Sequence, residues 1–297
     1  MSTSNPISLD QIVLGSQLPA LPQSAMRLLQ LSQDPENGPA EFAVPIESDP
    51  GLAGQVLRFV NSSYFGFARE ISSVRLALSL VGVRAIQNFT LWSAVFSVIP
   101  NPKCGALDVK VLWQDCLRRG LFSRSIGRRL KLKEAEDLFT AALLQDLAIP
   151  VLAKELKQRY AEVFDSAKNN DATLATQERA AFGWDHAEAG GKIALHWNLP
   201  ESITRMIQNH TRPVAELPDV VTRIVALSAM VPSVRAEQWD ARETFIGTLD
   251  AILKQPNLVS EVFEEVDKAF SEIAPMLKLG GNVKPLTTAW LQETSPV

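Results

Sequence analysis

The stretch "SDPGLAGQVLRFVNSS" (residues 48–63) carries the signals that decide the fold class. Asp49 suits a helix N-cap, because its side chain can accept a hydrogen bond from a free backbone N–H of the first turn. Pro50 suits the first helical position, where its fixed φ and missing N–H do no harm. Apolar residues then recur on one helical face, at Leu52, Val56, Leu57 and Val60. The stretch therefore predicts an amphipathic helix.

Helix signals of this kind recur along the whole chain. The segment "SSVRLALSLVG" (72–82) begins at a serine cap and ends at Gly82, a residue type that commonly terminates helices. No segment alternates apolar and polar residues for long between turn signals, as a half-buried strand would. The sequence therefore predicts an all-α protein with helices at residues 22–33, 39–48, 50–61, 73–81, 83–98, 107–130, 134–145, 148–168, 173–182, 186–197, 200–210, 218–231, 241–254 and 257–277.

Composition narrows the functional classes. The 297 residues, 46% of them hydrophobic, suffice for one large domain or two modest ones. A near balance of 29 Lys and Arg against 33 Asp and Glu argues against general nucleic-acid binding. The start resembles no signal peptide, and the most apolar run (89–99) is shorter than the roughly 20 residues of a membrane span. We expect a cytoplasmic protein with no membrane span.

Three longer motifs follow one another in the chain. They are "LPALP" (18–22), "ESDPGLAGQVLRFVNSSYFGFAREISSVRLALSLVG" (47–82) and "GWDHAEAGGKIALHWNLPESITRMIQNH" (183–210). Together they resemble the HDOD family, bacterial relatives of the HD and HD-GYP phosphohydrolases. The positions that carry the resemblance are Asp49, Pro50, Asn61, Ser62, Gly82, His186, Trp197, Pro200 and His210. The resemblance implies a multi-helix bundle of the HD-domain type.

The resemblance also suggests how the chain is divided. The resemblance spans about residues 15–215. Within that range, the segment "PNPKCG" (100–105) indicates a linker. We expect an N-terminal lead (1–14), an HDOD domain (15–215) with an N-terminal helical group (15–100) and an HD-like helical group (105–215), and a C-terminal helical extension (216–297).

Several motif positions have structural explanations. Asn61 and Ser62, at a helix end, can cap carbonyls and bond the backbone of the turn at Gly66. Trp197 can fill an apolar gap between helices, and Asn198 tolerates a left-handed turn. We therefore interpret these positions as structural.

Metal-dependent HD enzymes share a ligand set of one His, a His-Asp pair and a later Asp. In this sequence the resemblance places Asp115 at the first position, Gln145-Asp146 at the pair and Ala229 at the last. Gln145 is a poor ligand and Ala229 supplies none, whereas a stable site usually needs three or four protein ligands. We predict no bound metal, no catalytic residue and no cofactor.

The three histidines are weaker candidates for metal ligands. His186 and His196 lie ten residues apart on one predicted helix, so they cannot chelate one ion. His186 and His210 can meet across a helix pair, where we expect a hydrogen-bonding role in the core.

The segment "RRGLFSRSIGRRLKLK" (118–133) has seven basic residues and no acidic one. Its arginines are Arg118, Arg119, Arg124, Arg128 and Arg129. We favour a solvated face paired with acidic helices such as "KEAED" (133–137). The alternative is a patch for an acidic partner protein or a nucleotide phosphate.

The sequence contains neither a Walker-type loop nor a dinucleotide-binding glycine motif after a strand. The resemblance implies a non-catalytic bacterial regulatory module that binds a signalling protein or a ligand, near cyclic-di-GMP or stress signalling. One alternative is a divergent metal-dependent phosphohydrolase or phosphodiesterase that uses Asp115, Asp146 and a relocated His. Another is a receptor for a nucleotide in the vacated pocket.

Overall fold

The computed structural model describes residues 8–15, 18, 20–34, 36–62, 65–169, 173–255 and 258–292. All regular elements within these ranges are helices and none is a strand, which confirms the all-α prediction. Part of the expected N-terminal lead (1–7), Pro19 of the first motif, and Ser63 and Tyr64 of the second lie outside the described residues.

The N-terminal group comprises α1 (Leu9–Gly15), α2 (Gln23–Leu31), α3 (Pro39–Glu47), α4 (Pro50–Val60), α5 (Val74–Val81) and α6 (Val83–Val98). Asp49 caps α4 as predicted, since its side chain accepts a hydrogen bond from the N–H of Leu52 at 3.0 Å. Gly82 separates α5 from α6 at a φ of 94°, a conformation that glycine tolerates best.

The loop after α4 is held by Asn61. Its side-chain amide donates to the carbonyl of Ile71 at 2.8 Å and accepts from the N–H of Ile71 at 2.7 Å. Asn61 therefore bonds the backbone of Ile71, and not the turn at Gly66 as expected. Ser62 does cap a carbonyl, donating from Oγ to Phe59 at 2.7 Å.

The second group comprises α7 (Val109–Arg129), α8 (Ala135–Leu144), α9 (Ala148–Leu156), α10 (Gln158–Asn169), α11 (Leu174–Phe182), α12 (His186–His196), α13 (Glu201–Asn209) and α14 (Val220–Ser228), with a short 3-10 turn at Val214–Glu216. The long helix α7 lies at its centre and packs against α8 and α14. This position explains why α7 is buried along most of its length.

The structure has two helices, α9 and α10, where the sequence predicts one helix over 148–168. Lys157 adopts a φ of 49° between α9 and α10 and interrupts the helical hydrogen bonding. No Gly or Pro marks this break, so the sequence offers no local signal for it. The second helix places Tyr160 fully inside the core.

Three further helices follow: α15 (Arg242–Leu253), α16 (Val259–Met276) and α17 (Leu286–Gln292). Helix α16 packs against α7, and Arg118 on α7 donates to the carbonyls of Pro232 and Lys284. One cluster of buried hydrophobic side chains runs from Leu9 to Leu286. None of the described helices is long and apolar enough to cross a membrane.

Candidate functional site

A buried cluster of one carboxylate and two imidazoles lies where α8, α12 and α13 meet. Asp146 follows α8, His186 is the first residue of α12, and His210 follows α13. Oδ1 of Asp146 is 3.5 Å from Nε2 of His186 and 3.3 Å from Nε2 of His210. The two Nε2 atoms are 3.2 Å apart. The helix-pair contact between His186 and His210 therefore forms, and it includes Asp146.

The chain around Asp185 fixes the position of His186. Asp185 caps α12, since its Oδ1 accepts from the N–H of Glu188 at 2.9 Å. Its Oδ2 accepts from the hydroxyl of Thr211 at 2.8 Å, which ties the start of α12 to the end of α13. Gly191 lets the two helices approach, because a Cβ there would lie 2.9 Å from Cβ of Gln208.

Arg119 supplies the cation at this cluster. Its guanidinium donates to Oδ2 of Asp146 in an ion pair that is mostly shielded from solvent. Cys116, one turn earlier on the same face of α7, donates weakly from Sγ to the same oxygen at 3.7 Å. Burial alone would raise the pKa of Asp146, but Arg119 and the two histidines hold it well below its ordinary range. Asp146 is therefore a carboxylate at neutral pH.

Glu178 on α11 lies behind His186. One of its oxygens accepts from both the backbone N–H and Nδ1 of His186, at 2.8 and 2.6 Å. Its other oxygen accepts from the hydroxyl of Tyr160. Burial alone would lower the pKa of His186, but Glu178 and Asp146 outweigh it and raise that pKa to about 10. His186 is therefore protonated at neutral pH.

His210 is oriented by the end of α13. Nδ1 of His210 is 2.7 Å from the carbonyl oxygen of Ile207. A carbonyl only accepts, so Nδ1 carries a hydrogen. Nε2 of His210 then faces both Nε2 of His186 and Oδ1 of Asp146. The cluster therefore connects Tyr160, Glu178 and the two histidines to the carboxylate that pairs with Arg119.

The predicted metal-ligand positions separate in space. Oδ1 of Asp115 accepts from the N–H of Val234 at 2.7 Å, away from the three-residue cluster. Oε1 of Gln145 accepts from the hydroxyl of Ser228 at 3.2 Å. Ala229 lines the neighbouring cavity. Of the four positions, Asp146 is the one that joins the histidines.

A cavity of about 810 Å³ opens onto the cluster. Arg119, Asp146, His186 and His210 line its polar end. Its other walls are mainly apolar, with Leu112, Ile149, Phe164, Leu174, Val214 and Met230 among them. The volume falls in the roughly 300–1,000 Å³ range of small-molecule sites.

The basic segment 118–133 pairs with the acidic segment 133–137 as expected, but it is only partly a solvated face. The side chains of Arg118 and Arg124 are buried, and Arg124 pairs with Glu136 at 3.5 Å and stacks on Phe139. The physical reason is that α8, α14 and α16 enclose α7, so its polar side chains must find partners inside the protein. Arg128 and Arg129 do reach solvent, where they pair with acidic side chains of α8 and α16. An external acidic partner cannot reach Arg118 or Arg124.

Other motif positions serve the fold. Trp197 is 3% exposed and Asn198 adopts a φ of 54°, both as predicted. Pro200 is the N-cap residue of α13, which begins at Glu201, and not the first helical residue as expected. His196 is exposed and lies apart from the cluster.

The sequence-based prediction of the site omits three of its residues. It places Arg119 in a surface patch and does not single out Glu178 or Tyr160. Glu178 lies between Gln177 and Arg179, in a polar run that is typical of a solvent-exposed helix. Its full burial depends on the packing of α11 against α10 and α12, which no local pattern encodes.

The structure is an all-helical domain with a buried Asp-His-His cluster beside a cavity. The chain belongs to the HDOD domain family, whose profile matches residues 18–213.

Solved structures share this fold. An HDOD domain protein from Geobacter sulfurreducens superposes with a TM-score of 0.73 at 20% identity, over 90% of this chain and 96% of that one. A protein from Shewanella amazonensis SB2B, provisionally described as a phosphohydrolase, gives 0.71 at 20% identity, over 92% and 99%. A protein from Marinobacter aquaeolei VT8, provisionally described as a signal transduction protein, gives 0.70 at 19% identity, over 92% and 62%. At these identities the likeness concerns the fold.

A curated relative from Treponema pallidum (strain Nichols), itself uncharacterised, is 22% identical over 194 residues, which is 65% of this chain. The chain spans 37% of the length of that relative.

Proposed function

We propose that this HDOD protein is a regulatory binding module in which an internal ion-pair network has replaced a catalytic metal centre. The observation that carries the proposal is the ion pair between Arg119 and Asp146 at the floor of the cavity. Asp146 is the remaining acidic member of the HD ligand set, and a guanidinium from the chain itself already neutralises it.

The donor set does not fit a divalent cation. A metal ligand must be deprotonated, yet His186 is protonated and donates from both ring nitrogens. A cation near Asp146 would meet the positive charges of Arg119 and His186. Asp115 is engaged by Val234, and Ala229 has no donor atom. Nε2 of His210 is already engaged in the cluster, 3.2 Å from Nε2 of His186 and 3.3 Å from Oδ1 of Asp146.

A binding role agrees with what remains of the site. The scaffold, the cavity and the charged floor are present, and Gln145 and Ala229 stand at two of the four metal-ligand positions. The structural relative from Marinobacter aquaeolei, with its signal-transduction description, supports a signalling context. We propose that the protein acts on a signalling partner, with its affinity set by what occupies the cavity.

A metal-dependent phosphohydrolase is the second candidate. Asp146, His186 and His210 each offer a ligand atom within 4.8 Å of the others. Two imidazoles and one carboxylate are a set that holds divalent transition metals in other proteins. This candidate requires a metal to displace Arg119 and to remove a proton from His186.

Metal analysis distinguishes the two candidates. We expect protein purified without chelators to contain far less than one equivalent of transition metal. Calorimetric titration with Mn²⁺, Fe²⁺ and Zn²⁺ should give no binding tighter than millimolar, and bis(p-nitrophenyl) phosphate should not be hydrolysed. Stoichiometric metal together with hydrolysis would overturn the proposal.

A pair of variants tests the role of Arg119 itself. Arg119→Gln removes the cation from Asp146 and should raise the affinity for Zn²⁺ above that of the wild type. Arg119→Lys keeps a positive charge there and should bind no better than the wild type. Equal Zn²⁺ affinity in both folded variants would contradict the idea that the guanidinium excludes the metal.

A further inference from the structure

The cavity at the cluster continues into a second one. The second cavity has a volume of about 860 Å³ and shares four lining residues with the first, namely Val214, Ala215, Thr244 and Thr248. Its other walls include Leu130, Leu132, Val220, Ile252 and Leu253. The two cavities form a continuous depression along α15, here called the aliphatic groove.

The charges that line the aliphatic groove are unbalanced. Its arginine and lysine side chains are Arg119, Arg212, Arg223 and Lys254. Among the described residues that line it, Asp146 is the one acid, and Arg119 already pairs with it. Arg212 and Lys254 are exposed at the rim. The groove is therefore complementary to an anion whose charge sits at the rim.

The walls favour a hydrocarbon over a nucleobase. Among the described residues that line either cavity, the ring side chains are Phe164, His186 and His210, and the two imidazoles contact each other at the polar end. Leucine, isoleucine, valine, methionine and alanine supply most of the apolar surface. Such walls gain affinity from each methylene that they remove from water.

We propose that the aliphatic groove binds a long-chain anionic amphiphile. The hydrocarbon chain lies along the aliphatic walls, and a carboxylate or phosphate headgroup meets Arg212, the exposed cation that lines the cavity at the cluster. This inference rests on the proposed function as a binding module and names the chemical class of its effector.

A series of chain lengths tests the class of ligand. Calorimetry with sodium decanoate, dodecanoate and tetradecanoate, each below its micelle concentration, should show the Kd falling about tenfold for every two carbons. Dodecyl phosphate distinguishes a phosphate from a carboxylate headgroup. Dodecyltrimethylammonium, with the same chain and the opposite charge, should bind at least about tenfold more weakly, as expected for a cationic rim.

Two variants test the place of binding. Ala229→Phe fills part of the first cavity and should weaken dodecanoate binding at least about tenfold, whereas Ala181→Phe, at an exposed position of α11 outside the groove, should not. Arg212→Glu reverses a rim charge and should weaken binding, whereas Arg69→Glu, exposed on the N-terminal group, should not. Circular dichroism confirms that each variant is folded.

A Kd that does not change with chain length overturns the inference, and so does wild-type binding in both groove variants. A nucleotide such as AMP or GTP that binds more tightly than every amphiphile, and is lost in Ala229→Phe, reassigns the groove to nucleotides. Metal content is measured on the same preparation. Metal-free protein that binds no amphiphile refutes the groove inference alone, whereas a stoichiometric metal with hydrolysis refutes the proposed function.

Discussion

Nε2 of His186 lies 3.2 Å from Nε2 of His210, in a core that also contains Glu178 and Asp146. The carbonyl of Ile207 engages Nδ1 of His210, so that its Nε2 faces His186 and Asp146. His186 and Arg119 thus provide two positive charges against two carboxylates. A buried network of this kind is stable while each charge keeps its partner, and costly when one is removed.

The charge on His186 makes stability depend on pH. Its folded pKa of about 10 lies above its ordinary value of 6.5, so its stabilising contribution is complete below about pH 6.5 and is lost as pH rises through about 10. We expect the free energy of unfolding to fall over this window, with a slope of up to about 1.4 kcal/mol per pH unit. Urea denaturation at several pH values measures it.

Two histidine variants separate this effect from general alkaline destabilisation. His186→Gln should flatten the decline, because the titrating group is gone. His196→Gln, at an exposed position, should keep the wild-type slope. A wild-type slope in His186→Gln would assign the pH dependence to another group.

The hydroxyl of Tyr160 should contribute measurably to the same network. Tyr160→Phe removes the donor to Glu178 and leaves the ring in place, so we expect a loss of about 1.5–3 kcal/mol. Glu178→Gln should cost more, about 3–5 kcal/mol, because it leaves a buried charge on His186 without its main partner. Equal and small losses in both variants, measured by urea denaturation, would mean that the chain of hydrogen bonds is not cooperative.

Restoring the missing histidine should not restore a metal site. Gln145→His returns one imidazole beside Asp146, but Arg119 still neutralises that carboxylate and Ala229 still offers no ligand. Missing outer partners alone typically reduce metal affinity 10–100-fold. We expect calorimetry with Mn²⁺ and Fe²⁺ to detect no binding in the variant or in the wild type. Micromolar binding in Gln145→His would show that the remaining ligands are preorganised.

Local signals predicted most of the helices, although α1 and α17 lie outside the predicted ranges. Asp49 and Ser73 cap α4 and α5 through the bonds that their residue types favour, and Gly82 ends α5. The break at Lys157 was not predictable, because lysine at a positive φ has no local advantage. Tyr160 is buried just beyond the break, and Sγ of Cys104 donates to the carbonyl of Lys157; a pattern in neighbouring residues does not encode such contacts.

The candidate site was only partly predictable. The resemblance singled out Asp146, His186 and His210, and the structure brings these three together. It could not assign Arg119 to this cluster, because basic residues spread along an isolated helix are typical of a solvent-exposed face. Which side of α7 faces water depends on α14 and α16, which follow α7 by about 100 residues or more. Tertiary packing therefore determines which arginine neutralises Asp146.

Trp197 should be the main anchor between α12 and α13. It is 3% exposed at the end of α12, directly before the left-handed Asn198 that turns the chain into the next helix. Trp197→Ala should therefore cost about 3–5 kcal/mol, the usual range for truncating a buried aromatic, and lower the melting temperature by at least about 5 °C. Leu195→Ala is the matched control, because Leu195 is 58% exposed. That control should change the melting temperature by no more than about 1 °C. Thermal unfolding followed by circular dichroism decides the matter, and equal shifts in the two variants would contradict an anchoring role for the indole.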